Sequence, residues 1–127
     1  MLVSRPRPTD AELEILTVLW SRGPSTVRDV HEVIAKRKPA QYTTVLKTLQ
    51  IMTEKGLVER TEAGKAHVYR AAASQEDTQN QLLRDLSERL FSGSAAQLAM
   101  HALSMQPTSE EELQEIRRII KQKREKQ

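Results

Sequence analysis

The sequence predicts a mainly α-helical chain with one small β-hairpin, built in two parts, and three observations carry that prediction. The stretch Tyr42-Thr43-Thr44-Val45-Leu46-Lys47-Thr48-Leu49-Gln50-Ile51-Met52 reads as a two-faced helix. At 3.6 residues per turn Tyr42, Val45, Leu46, Leu49 and Met52 gather on one side, and Thr43, Thr44, Lys47, Thr48 and Ile51 on the other. A hairpin pattern follows directly after Gly56. Beyond Ser74 come three apolar helical stripes with very little aromatic volume among them. A short polar helix face, nearly free of acids and followed at once by a strand pair, is the pattern of a DNA-reading helix in a winged helix-turn-helix. An ordinary amphipathic helix with a solvated face has the same wheel, so the rest of the chain has to support the reading.

The elements follow in order. Thr9-Asp10-Ala11-Glu12 is a capping box and opens a first helix. Leu13, Leu16 and Trp20 form its stripe, with Ile15 and Leu19 beside it, and Ser21-Arg22-Gly23-Pro24 ends it. Ser25 or Thr26 caps a second helix with Val27, Val30, Val33 and Ile34 inward, which stops at Lys36-Arg37-Lys38-Pro39. The two-faced helix begins near Ala40 or Gln41, completing a helix-turn-helix. Leu57-Val58-Glu59-Arg60-Thr61 and Ala66-His67-Val68-Tyr69-Arg70 alternate as strands, with Gly64 available for positive φ at the turn and Lys65 near its tip. A lysine there either meets phosphate or is simply solvated.

From Ser74-Gln75-Glu76-Asp77 a helix carries Leu82, Leu83, Leu86, Leu90 and Phe91 to a break at Ser92-Gly93. A short helix over residues 94–103 presents Ala95, Leu98, Ala99, Ala102 and Leu103. Ser109-Glu110-Glu111-Glu112 opens the last, with Leu113, Ile116, Ile119 and Ile120 as its apolar face and Lys121, Lys123 and Arg124 near its end, which suits the helix dipole. The chain has four aromatics, Trp20, Tyr42, Tyr69 and Phe91, so these three helices cannot close a good core alone. A second copy of the chain is the natural cover, and Leu83, Leu86, Leu90, Leu98, Leu113 and Ile116 are the expected dimer interface. The expected division is a winged-helix domain over residues 1–73 and a helical dimerisation domain over residues 74–127.

Composition narrows the chemistry. The absence of cysteine removes disulfides, thiolate nucleophiles and cysteine-metal clusters. His31, His67 and His101 lie far apart without metal-ligand spacing, and Gly23, Gly56, Gly64 and Gly93 occur singly, so there is no phosphate loop. We therefore expect no catalytic residues, no metal and no cofactor. Apolar runs are too short for a membrane span, and Met1-Leu2-Val3-Ser4-Arg5-Pro6-Arg7-Pro8 lacks a signal-peptide core, so a cytoplasmic protein is expected. The net charge of +3 is unevenly placed: residues 1–73 carry +4, residues 74–120 carry −4 and residues 121–127 carry +3. A polyanion is drawn to the first and last of these, and the acidic middle suits protein contact.

Thr9-Asp10-Ala11-Glu12-Leu13-Glu14-Ile15-Leu16 with Trp20, Tyr42-Thr43-Thr44-Val45, Lys55-Gly56-Leu57-Val58, Gly64-Lys65-Ala66-His67 with Tyr69, Phe91-Ser92-Gly93-Ser94 and Ser109-Glu110-Glu111-Glu112-Leu113 stand in an order and spacing that resemble the penicillinase-repressor family of BlaI, MecI and CopY type. The resemblance covers nearly the whole chain. It implies a homodimeric repressor on a dyad-symmetric double-stranded DNA operator, controlling β-lactam resistance or a related stress response. By position it implies DNA contact for Thr43, Thr44, Lys47 and Thr48, with Gln41 and Lys65 as phosphate neighbours. Ile51 departs from the family, where a basic residue is common. The cysteine cluster of the copper-responsive branch is missing. In the β-lactam-responsive branch a regulatory protease cuts an Asn-Phe bond, and His101-Ala102 stands at the corresponding place. Two other readings stay open: a winged helix that binds protein instead of DNA, and a winged-helix regulator that senses a small ligand at the dimer interface.

Overall fold

The computed structural model describes residues 6–127; the signal-peptide reading of the first eight residues rests mostly on positions outside them. Its elements run α1 (Asp10–Arg22), α2 (Val27–Ala35), α3 (Tyr42–Lys55), β1 (Val58–Ala63), β2 (Ala66–Ala71), α4 (Gln75–Leu90), α5 (Ala95–Met105) and α6 (Glu110–Lys126). They divide into two compact units within α4, one reaching to Leu82 and the other starting at Leu83.

Each helix start has a local cause. Thr9 accepts from the Glu12 N–H at 3.2 Å while the Glu12 carboxylate accepts from the Thr9 N–H at 2.9 Å. Thr26 and Asp29 repeat the reciprocal box at α2, and Ser109 and Glu112 repeat it at α6. The N–H of Thr26 lowers the pKa of Asp29, and the N–H of Ser109 lowers that of Glu112. At α3 the N-cap Gln41 offers no side-chain bond, and Gly56 ends the helix in the left-handed region at φ 80°.

The core of the first unit is Ile15, Leu16, Val18 and Leu19 of α1, Val27, Val30 and Ile34 of α2, Val45, Leu49 and Met52 of α3, and Leu57, Val58 and Tyr69. Leu13 and Trp20, expected on the buried stripe, are half-buried; Val18 takes the deeper place. Trp20 uses its edge position, its indole N–H donating to the Ala73 carbonyl at 2.9 Å. β1 and β2 pair antiparallel, with Val58 opposite Ala71 and Ala63 opposite Ala66, leaving Gly64 and Lys65 as the turn. Leu57 stays outside the strand and fills the core instead.

Ser25 pairs with Tyr69 through two backbone hydrogen bonds of 2.9 and 2.8 Å, an isolated antiparallel bridge beside β2. This bridge fixes the hairpin to the loop ahead of α2. Thr26, not Ser25, is the cap, because the Ser25 side chain is buried and donates to the Gly23 carbonyl.

In the second unit α4 ends where Ser92 and Gly93 take positive φ, 50° and 82°, and the Gly93 N–H returns to the Ser87 carbonyl at 2.9 Å. Ser94 caps α5. No residue of α5 or α6 is buried. Leu83, Leu86, Leu90, Met100, Leu103, Met105, Ile119 and Ile120 are all exposed, and Leu98, Leu113 and Ile116 are half-buried.

Candidate nucleic-acid interface

α3 is seated by contacts at both ends. At its start, His31 of α2 bonds through Nε2 to the Ala40 carbonyl at 2.8 Å, and its ring meets Tyr42 edge-on at 5.7 Å. At its end, Lys55 Nζ lies 2.9 Å from both carboxylate oxygens of Glu12 on α1. Burial opposes ionisation of Glu12, yet the Thr9 N–H and the Lys55 ammonium outweigh it and hold the carboxyl below its ordinary value. Between these ends Val45, Leu49 and Met52 key α3 into the core. The helix is therefore fixed in position and in rotation about its axis.

That rotation exposes Gln41, Thr43, Thr44 and Lys47, while Thr48 is half-buried. Thr48 also donates its hydroxyl to the Thr44 carbonyl at 2.8 Å, so what it retains for a partner is mainly acceptor capacity. Ile51 lies at the edge of the same face, 38% exposed. Tyr42, placed inward by the helical wheel, is 46% exposed. It sits in the first turn, where its neighbour is His31 and not the core.

The charges are sorted by position. Arg22 pairs with Asp29, Arg37 and Lys38 both reach Glu14, Lys55 is held by Glu12, and Arg70 pairs with Glu59 across the hairpin. Lys47 on α3 and Lys65 at the hairpin turn have no ion-pair partner among the described residues, and α3 has no acid in its first turn. A cation without a carboxylate neighbour is free to neutralise phosphate. Hydroxyls, an amide and a lysine on one rigid helix face, with a hairpin beside it, supply the donor and acceptor types that phosphates and base edges recognise. Arg60, exposed on β1 and also unpaired among the described residues, was not singled out by the sequence. Its position opposite Tyr69 depends on the strand register, which alternation alone leaves open.

His101 and Ala102 lie in the middle of α5, exposed, with the His101 ring 5.9 Å from Phe91. The described residues contain no group of three His, Asp or Glu close enough to hold a metal, and no helix among them is long and apolar enough to cross a membrane.

Helix-turn-helix, hairpin and bridging loop together make the first unit a winged helix. A family model for penicillinase repressors matches residues 8–122, and the chain belongs to that family. Among its relatives, the transcriptional regulator BlaI of Mycobacterium tuberculosis is 35% identical over 94 residues, covering 72% of this chain and 68% of that protein. The methicillin resistance regulatory protein MecI of Staphylococcus aureus is 19% identical over 115 residues, covering 91% of this chain and 94% of MecI. The solution structure of the DNA-binding domain of the repressor BlaI superposes with a TM-score of 0.53 at 24% identity, covering 60% of this chain and 93% of that one. Monomeric BlaI of Bacillus licheniformis, solved in complex with the blaP half-operator, gives 0.51 at 24% identity over 58% of this chain and 90% of its own. These two likenesses bear on the fold.

Proposed function

We propose that this protein is a homodimeric transcriptional repressor, without enzymatic activity, that binds a dyad-symmetric DNA operator through the exposed face of α3 in each copy. The observation that carries the reading is that face itself: Thr43, Thr44 and Lys47 stand exposed on a helix held at both ends, and Lys47 has no carboxylate partner among the described residues. Threonine hydroxyls and methyls suit base edges in the major groove, Lys47 suits phosphate, and Gln41 and Lys65 suit the flanking backbone. The names of its relatives point to the same activity, and to β-lactam resistance as the kind of gene controlled. Such a protein works in the cytoplasm, where the chromosome is.

The second unit supports the dimer. Leu83, Leu86 and Leu90 are 50%, 41% and 68% exposed, and Leu98, Leu113 and Ile116 are incompletely covered. A second copy would bury this apolar surface and set two α3 helices on half-sites about 34–36 Å apart, or a multiple of that spacing. Two linked contacts gain from effective concentration, so cleavage in α5 at His101-Ala102 by a regulatory protease would release the operator without disturbing α3. The bond is exposed but helical, so a protease needs α5 to open locally.

The test is selection from a pool of random duplex DNA by the purified protein, followed by gel shift on the recovered sequences. A recovered inverted repeat is the expected result. Recovery of unrelated sequences bound with equal affinity would favour a protein-binding winged helix instead.

A further inference from the structure

α6 changes character along its length. Leu113, Ile116, Ile119 and Ile120 are its apolar residues, and beyond Ile120 the helix continues to Lys126 without another. That stretch carries Lys121, Lys123, Arg124 and Lys126 against one carboxylate, Glu125, and all of them are exposed. The cations just before it are neutralised: Arg117 pairs with Glu110 at 3.6 Å, and Arg118 pairs with Glu115. None of the four later cations has an ion-pair or hydrogen-bond partner for its side chain among the described residues.

The helix dipole favours Lys123, Arg124 and Lys126 in the last turn, but it falls off within that turn and gives no reason for Lys121, which precedes it. At about 100° per residue these four spread around the axis, so no single face is reserved for a complementary protein surface. Whichever side approaches a polyanion presents at least one cation with others close by. Duplex DNA, with about one negative charge per 1.7 Å of axis, rewards that arrangement without demanding a register.

We infer that residues 121–126 of α6 are a second, sequence-independent contact for the phosphate backbone of duplex DNA, which raises affinity for DNA in general and leaves discrimination to α3. The inference rests on the DNA-binding reading of α3. It assigns the two tasks to different parts of the chain: α3 chooses the site, and the basic end of α6 strengthens and accelerates encounter with any duplex.

The experiment compares the full chain with a variant carrying Lys121→Gln, Lys123→Gln, Arg124→Gln and Lys126→Gln. Binding to a selected duplex and to an unrelated duplex is followed by fluorescence anisotropy between about 50 and 200 mM salt. The expected result is a similar fold loss on both duplexes, with the slope of log K against log salt shallower by about 2–3 per chain. A variant with Lys121→Arg, Lys123→Arg and Lys126→Arg should bind like the parent, since charge and not shape is being read. Unchanged slopes in the glutamine variant would overturn the inference. So would a loss confined to the selected duplex, or a loss of binding to phosphatidylserine vesicles with DNA binding intact. A parent chain that fails to distinguish the two duplexes would sink the α3 reading instead, so the two failures are separable.

Discussion

Lys55 and Glu12 form a part-buried ion pair that closes the far end of α3 onto the start of α1, Nζ standing 2.9 Å from each carboxylate oxygen, with the Glu12 side chain 4% and the Lys55 side chain 33% exposed. The same carboxylate accepts the Thr9 N–H, so one residue caps α1 and anchors α3. Fold and candidate function meet here, because the angle of the exposed threonine and lysine face depends on where the end of α3 is held.

Glu12→Gln should destabilise the first unit by roughly 1–2 kcal/mol, since the ion pair is lost while Lys55, a third exposed, keeps solvent and an amide oxygen as partners. The pKa of Glu12 is lowered in the folded protein, so its contribution is present above the ordinary glutamate value and is lost as pH falls through the folded one. Urea unfolding of the parent should show stability dropping below about pH 4.5. The Gln variant should show a shallower drop there, and parallel curves for the two proteins would contradict this role.

Lys47→Ala and Thr44→Ala should separate two kinds of contact. Lys47→Ala should weaken all duplexes alike and reduce the salt slope by about 1, whereas Thr44→Ala should cost about 1–3 kcal/mol on the preferred sequence and relax the choice at one base position. Both side chains are exposed, so thermal unfolding should be unchanged. Equal affinity of both folded variants and the parent would remove this face from consideration.

His31→Ala removes the bond to the Ala40 carbonyl and the edge contact with Tyr42 at the other end of α3. One hydrogen bond is worth about 1 kcal/mol, so stability should fall modestly and the preferred duplex should be bound several-fold more weakly. His31→Gln, which keeps a donor, should recover part of the binding. Identical binding by His31→Ala and parent would show that the turn holds α3 without it.

Leu86→Glu combined with Leu90→Glu places charge on the exposed apolar surface of α4. Sedimentation at micromolar protein should show the parent as a dimer and the variant as a monomer that retains weak binding to a single half-site. A parent that sediments as a monomer would refute the architecture.

Much of this was legible in the sequence because its causes are local. The boxes at Thr9-Glu12 and Ser109-Glu112, the glycine stop at Gly56 and the break at Ser92-Gly93 depend on residues a few positions apart. The exposure of Thr43, Thr44 and Lys47 follows from helical periodicity once Val45, Leu49 and Met52 are seen as core. The pair Glu12-Lys55 and the bridge Ser25-Tyr69 were not legible, since each joins segments more than forty residues apart. Tyr42 shows a limit of the wheel: periodicity gives direction, but what lies in that direction at the first turn is His31 and solvent.

Footprinting of this chain on its selected duplex, parent beside Lys47→Ala, reads out the α3 contact and the dyad together. The expected result is two protected half-sites related by a dyad, with centres about 34–36 Å apart or a multiple of that spacing, and loss of both in the variant at the same protein concentration. A single asymmetric footprint, or protection that survives Lys47→Ala undiminished, would contradict it.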